Sequence, residues 1–262
     1  MKSNVAVAYL ARGLDSNALI NFQNFADSYK KFRPGLAHTF FIIFKGFHDK
    51  NLLKKAKTIF RSLNYSPFFC GDNEFDIGAY RDFARAHEFD YVLFFKSSNK
   101  ILAENWLLKY YGLMIQPGVG SVASSGSFES LHLLNPLFPE FPNPHIRSCS
   151  FMIRRSVFLE IVGNAPFKTK MDCYLFESGP NSMTRQLLEM KLDVLIVGKN
   201  GRGYSKNNWH LSKTSRLYDE SNLLICDIQN TLFKQASWEQ RKILCNSAWG
   251  HKVNLKKMYS KT

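Results

Sequence analysis

The chain has 262 residues, 45% of them apolar, enough to bury the core of one large α/β domain or two small ones, which excludes disorder as its overall state. A formal charge of +14 suits phosphorylated small molecules, anionic lipid or nucleic acid, yet the basic residues are dispersed and concentrate only at Lys54, Lys55 and Lys57, at Arg154 and Arg155, and at Lys252, Lys256, Lys257 and Lys261. The five cysteines are scattered without a C-x-x-C pair, which argues against a disulfide framework or a zinc site and for reduced thiols in the cytoplasm.

Val5 to Ala11 is an apolar run too short for a signal-peptide core and reads as the first strand. Residues 15–32 follow, with Leu19, Phe22, Phe25 and Tyr29 at helical spacing, Asp15 or Ser16 as the cap and Pro34-Gly35 as the stop. His38 to Phe47 predicts a second strand, Asp49 to Leu63 a basic amphipathic helix, and Tyr65 to Cys70 a third strand. Asp76 to His87 is helical by the spacing of Ile77, Tyr80, Phe83 and Ala84, and Asp90 to Lys96 is an apolar fourth strand. The richest apolar runs each meet a lysine, Lys45 or Lys96, far short of the roughly 20 residues a membrane-spanning helix needs. Strands alternating with helices predict right-handed crossovers and a single α/β domain with a mainly parallel central sheet, residues 1–100 forming its nucleotide-binding half.

Residues 101–215 form a less regular second half. Trp106 to Ile115 reads as a helix, and a loop-rich stretch with four prolines between Asn135 and Pro144 is placed to shape a substrate cleft. Cys149 to Ile153 is a strand, Ser156 to Val162 and Ser182 to Met190 are helices, and Asp193 to Val197 is a further strand. Residues 216–262 supply a late strand over Asn222 to Asp227, a helix over Trp238 to Trp249 and a basic tail.

Ligands of an open α/β sheet bind beyond the carboxyl ends of its strands, which directs attention to Ala11-Arg12-Gly13, to Gly71 through Tyr80 and to Lys96 through Lys100. In the second stretch, Asp72 and Asp76 suit a ribose or base edge and the helix start suits phosphate. The same residues also serve as a plain helix cap, with Gly78 there for close packing. The order of strand, Asp76-x-Gly78 with Tyr80 and Arg81, and apolar strand ending in a short polar motif resembles the nucleotide-sugar half of GT-A glycosyltransferases, especially family 2-like enzymes of bacterial polysaccharide and lipopolysaccharide synthesis. The resemblance implies donor contacts from Ala11, Arg12, Asp72, Asp76, Gly78, Tyr80, Lys96, Ser97, Ser98 and Asn99.

In that family the polar motif is Asp-x-Asp, whose carboxylates hold a divalent metal. Here Ser97, Ser98 and Asn99 stand in its place, poor ligands for a hard cation such as Mg²⁺ or Mn²⁺, with Asn99 at the second acidic position. Without a metal, cationic side chains must stabilise the leaving diphosphate, and Lys96, Lys100, Arg147, Arg185, Lys199 and Arg202 are the candidates for phosphate or acceptor. His145, beside Arg147 in a proline-bounded loop, is a candidate site residue. The stretch around Phe176-Glu177-Ser178-Gly179-Pro180 is similar to the family pattern of an acid at a helix start, which implies Glu177 as catalytic base, with Asp172 as the fallback.

The expectation is a glycosyltransferase moving sugar from a nucleotide donor to a saccharide or lipid-linked acceptor, in the cytoplasm and peripheral at an anionic inner membrane. Two alternatives stay open: a nucleic-acid-binding module, disfavoured because most aromatics fall in apolar strands, and an inactive nucleotide-binding scaffold of the same fold.

Overall fold

A computed structural model describes residues 4–217 and 220–250. The first four strands, β1 (Val5–Arg12), β2 (Thr39–Lys45), β3 (Ser66–Cys70) and β4 (Tyr91–Phe95), alternate with helices α1 (Ala18–Lys31), α2 (Lys50–Phe60) and α3 (Asp76–Ala86), as the apolar periodicity predicts. Then follow β5 (Lys100–Ile101), α4 (Trp106–Met114), β6 (Val119–Ala123), β7 (Gly126–Ser127), β8 (His145–Ile146), β9 (Ser150–Arg154), α5 (Arg155–Val162), α6 (Lys170–Ser178), α7 (Met183–Glu189), β10 (Asp193–Val197), β11 (Gly203–Tyr204), a 3₁₀ turn over Lys206–Leu211, β12 (Ile225–Cys226), α8 (Ile228–Gln235) and α9 (Trp238–Trp249).

Eight strands form the central sheet in the order β11-β10-β6-β9-β4-β1-β2-β3. It is mainly parallel, but β9 runs antiparallel to both β4 and β6, with Phe95 opposite Ser150. Strand β1 shows how the sequence sets the two layers. Val5, Val7, Tyr9 and Ala11 face one core beside Phe22, Phe25 and Phe60 of α1 and α2, while Ala6, Ala8 and Leu10 face the other beside Ile77 and Phe83 of α3. Tyr9 stacks on Phe25 at 3.8 Å between ring centroids, and such a pair contributes about 0.5–1.5 kcal/mol beyond its buried area.

The structure corrects several expected boundaries. Helix α1 starts after Asn17, not at Asp15 or Ser16, because the Asp15 carboxylate is engaged by Arg12 and Ser97. The late strand contracts to Ile225–Cys226, paired with β5. Helix α9 spans Trp238–Trp249 as expected, and the tail lysines Lys252, Lys256, Lys257 and Lys261 lie outside the described residues. No helix among the described residues is long and apolar enough to cross a membrane.

A buried acid in the C-terminal part yields a pH prediction. Glu220 is 2% exposed, takes a left-handed backbone (φ 51°), and accepts hydrogen bonds from the Arg216 amide at 2.8 Å and Asn230 Nδ2 at 3.1 Å. Burial pushes its carboxyl up to about 7 against these bonds and Lys234, with Asp227 adding to the rise. The native state therefore holds a proton that the unfolded chain releases near the ordinary value of 4.5, so stability falls as pH rises from about 4.5 to about 7. Glu220→Gln is expected to flatten that fall, read as melting temperatures at about pH 5 and about pH 8; an unchanged slope would mean another group sets it.

Candidate functional site

The site lies where strand order reverses on either side of β1, beyond the carboxyl ends of β1 and β4. The antiparallel course of β9 builds it: the chain entering β9 passes the chain leaving β4, and the Lys96 amide donates to the Cys149 carbonyl at 3.1 Å. Arg147, Ser148 and Cys149 are thereby set beside Lys96, Ser97 and Ser98 around a cavity of about 320 Å³, which Arg12, Asp15, Phe75, Asp76, Glu177 and Asp227 also line. A second cavity of about 480 Å³ opens beside it, lined by Glu129, Leu131, Leu134, Phe138, His145, Met171 and Arg216. The two share Arg147, Tyr174, Glu177 and Gln229, so they form one cleft with Arg147 and Glu177 at the junction.

Charge is concentrated at that junction. Lys96 pairs with Asp76 at 3.5 Å and Arg147 with Asp227 at 3.5 Å. Burial works against the charge on Lys96, but Asp76 and Glu177 outweigh it and hold the amine well above its ordinary range. Arg147 stays firmly cationic in the same way: burial opposes its charge, and Asp227, Cys149 and Glu177 overcome it. Glu177 Oε2 accepts from the Ser148 amide at 2.6 Å and the Ser148 hydroxyl at 2.5 Å. Burial pushes its carboxyl up, yet the charges of Lys96 and Arg147 and the hydrogen bond from Ser148 hold it below 4.5, so it is a carboxylate at neutral pH. His145 is buried, and burial lowers its imidazole below 6.5 despite the pull of Glu177. The ring is neutral, and Nδ1, 2.8 Å from the Asn143 carbonyl, carries the proton because a carbonyl only accepts.

The structure places Glu177 in the last turn of α6, correcting the expectation of an acid at a helix start. Helix α6 itself has no counterpart in the sequence reading. Its start is a capping box in which Asp172 accepts from the Thr169 amide at 2.7 Å, so the fallback acid serves the cap and lies outside the cleft.

Of the proposed donor contacts, Arg12, Asp76, Lys96, Ser97 and Ser98 line the cleft, whereas Ala11, Asp72, Gly78, Tyr80 and Asn99 do not. Ala11 is buried on β1, and Tyr80 stacks on Phe94 in the core at 4.4 Å. The part-buried Asp72 is bound by Lys45 and Arg12, and Lys45 is only 1% exposed, a buried lysine that the sequence reading missed. Gly78 is there for packing: a Cβ would sit 2.5 Å from Glu74 Cβ. Gly78→Ala should therefore destabilise the fold by about 1–3 kcal/mol, seen as a lower melting temperature. Arg185 donates to Asn143 Oδ1 at 3.3 Å behind the cleft, and Lys199 and Arg202 occupy the β10–β11 connection at the far edge of the sheet. The lining residues Asp227, Tyr174 and Gln229 carried no local signal, since their places follow from the β5–β12 pairing and from α6 and α8.

The donor atoms at the Asp-x-Asp position do not suit a divalent metal. The Ser97 hydroxyl donates to Asp15. Asn99 Oδ1 accepts from the Lys96 amide at 2.7 Å and its Nδ2 donates to the Cys226 carbonyl at 3.4 Å, so the side chain is spent on the turn. Among the described residues no group of three or more His, Cys, Asp or Glu side chains is placed to hold a metal ion.

No protein-family model matches the chain, and no curated protein matches it by sequence. Solved structures do. A mannosyltransferase from Pyrobaculum calidifontis, in complex with GDP-Man and Mn²⁺, superposes with a TM-score of 0.53 over 96% of this chain and 70% of its own, at 13% identity. The 4-diphosphocytidyl-2C-methyl-D-erythritol synthase of Anaerococcus prevotii superposes with a TM-score of 0.50 over 74% of this chain and 86% of its own, at 11% identity. The chain thus has the single GT-A-like, Rossmann-related α/β fold seen in these two solved structures, with its cleft at the carboxyl end of the sheet.

Proposed function

We propose that the protein is a glycosyltransferase that binds a nucleotide-sugar donor in the smaller cavity and transfers the sugar to an acceptor hydroxyl presented from the larger one. The observation that carries this reading is the junction: two cations, Lys96 and Arg147, and one carboxylate, Glu177, are shared or adjoined by both cavities. In this reading Lys96 and Arg147 take the donor diphosphate and stabilise the negative charge that develops on it as the glycosidic bond breaks. Glu177 accepts the proton of the attacking hydroxyl. The electrostatic pull of Lys96 and Arg147 on Glu177 has a further consequence. A bound diphosphate competes for both cations, which loosens their hold on the carboxylate and raises its proton affinity when it is needed. Transfer without a divalent metal belongs to the same proposal, because the positively charged pair supplies what Mn²⁺ supplies elsewhere.

The deciding experiment is a thermal-shift series with UDP-, GDP- and CMP-sugars, their free nucleotides and CTP, each with Mn²⁺ and with EDTA. A shift with one nucleotide-sugar that EDTA leaves intact is the expected result. A shift abolished by EDTA would remove metal independence, and a shift with CTP alone would replace sugar transfer by nucleotidyl transfer. No nucleotide shift, together with salt-sensitive oligonucleotide binding, would favour the nucleic-acid module.

A further inference from the structure

The larger cavity has two chemistries. Its floor is ionic, and its outer wall is apolar: Leu131, Leu134 and Phe138 on one side, Met171 and Tyr174 of α6 on the other. Beyond the wall the chain displays leucines to solvent, with Leu133 98%, Leu134 85% and Leu137 62% exposed. These side chains stand on a built loop. The Leu134 and Asn135 amides both donate to the Leu131 carbonyl at 2.9 Å, the Leu137 amide donates to Asn135 Oδ1 at 3.0 Å, and the buried Phe138 anchors the end. Exposed Lys168 and Lys170 stand just before the half-exposed Met171, and the Lys170 ammonium lies 5.4 Å from the ring of Tyr174 on the cavity wall. Clustered exposed leucines have no role in folding and mark a contact surface. Apolar side chains bordered by lysines match an anionic lipid bilayer, which offers hydrocarbon below and negative headgroups above.

We infer that this rim docks on an anionic lipid surface and that the larger cavity receives the polar head of an amphiphilic acceptor, whose apolar chain leaves between Leu134 and Met171 into the bilayer. The inference rests on the proposed sugar transfer only for the word acceptor; the surface itself is tested without it. The leucine loop and the cavity wall are one structure, so membrane contact and acceptor entry coincide.

The test is co-sedimentation with phosphatidylcholine vesicles with and without phosphatidylglycerol, using the whole protein and Leu133→Ser/Leu137→Ser, two residues that line neither cavity. The whole protein should bind the phosphatidylglycerol vesicles, and the variant should lose about tenfold or more in partitioning while its melting temperature and its thermal shift with the nucleotide-sugar stay as they were. Absent vesicle binding, or equal binding by the variant, would overturn the inference, the latter assigning binding to the dispersed positive charge. A dimer in sedimentation equilibrium that the variant dissolves would overturn it too, by giving the leucines to a second copy. Loss of the nucleotide shift in both proteins would instead count against the transferase reading alone.

Discussion

Glu177→Gln is expected to lower sugar transfer about 10²–10⁴-fold while donor affinity is kept or rises. The amide keeps the shape of the side chain and still offers an oxygen to the Ser148 amide and hydroxyl, the two bonds that fix the group at 2.6 and 2.5 Å. What it removes is the negative charge. As a base the side chain then fails, because an amide does not accept the proton of an attacking hydroxyl. As a competitor it also disappears, and Lys96 and Arg147 become freer for a diphosphate. Turnover and donor affinity measured separately give the two halves of the expectation, and an unchanged turnover would remove Glu177 from the mechanism and leave neutral His145, on the wall of the same cavity, as the group to test next. The pH profile adds an independent reading. The base acts only when ionised, so kcat/KM falls as pH drops through the value for the free enzyme, which lies below 4.5 because the nearby cations overcome burial. A limb above 4.5 but below 6.5 in kcat/KM would point instead to the imidazole, which burial holds below its ordinary value.

Arg147→Ala should cost about 10²–10³ in turnover and weaken donor binding roughly tenfold to a hundredfold. Arg147 borders both cavities, and its guanidinium offers a fork of donors matched to a diphosphate, now pointed at Asp227 from 3.5 Å. Arg147→Lys keeps the charge without the fork and should recover donor binding more than turnover. Because Arg147→Ala also strands the buried Asp227, Arg147→Ala/Asp227→Asn separates loss of function from loss of folding: restored melting temperature with activity still absent supports a direct role. Recovered activity in the double variant would make Arg147 merely a partner for Asp227. Lys96→Met provides the parallel test beyond β4, with a smaller effect on folding expected because the methionine keeps the packing of the stem.

Much of this architecture is legible from local pattern. Strands β1 to β4 and helices α1 to α3 fall within a few residues of where apolar periodicity puts them, since burial on one face or two leaves periods of 3.6 and 2 in the sequence. The polar ends of β1 and β4 are equally visible, as Arg12 and as Lys96 with Ser97 and Ser98, because abrupt polarity after an apolar strand has only the sheet edge to go to. Helix α6 has no counterpart in the sequence reading although Met171, Tyr174 and Leu175 stand at helical spacing, because reading Asp172 as chemistry hides the capping box that starts it. Tyr80 and Asp72 were misplaced for a similar reason. A tyrosine or an aspartate near a strand end looks the same in sequence whether it faces a ligand, the ring of Phe94 or the amine of Lys45.

The sequence by itself thus determined the class of the domain, the order of its first elements and the strand ends beyond which the cleft lies, because each of these is set by neighbours within a few turns of chain. The tertiary structure alone decided the site. Nothing local states that β9 enters antiparallel between β4 and β6, yet that choice of partner and direction places Arg147 and Ser148 beside Lys96, which stands 51 and 52 residues before them in the chain, and lets the last turn of α6 deliver Glu177 to the same point. Strand pairing is chosen by the whole core at once, so the charges that meet at its edge are a property of the fold and not of any segment.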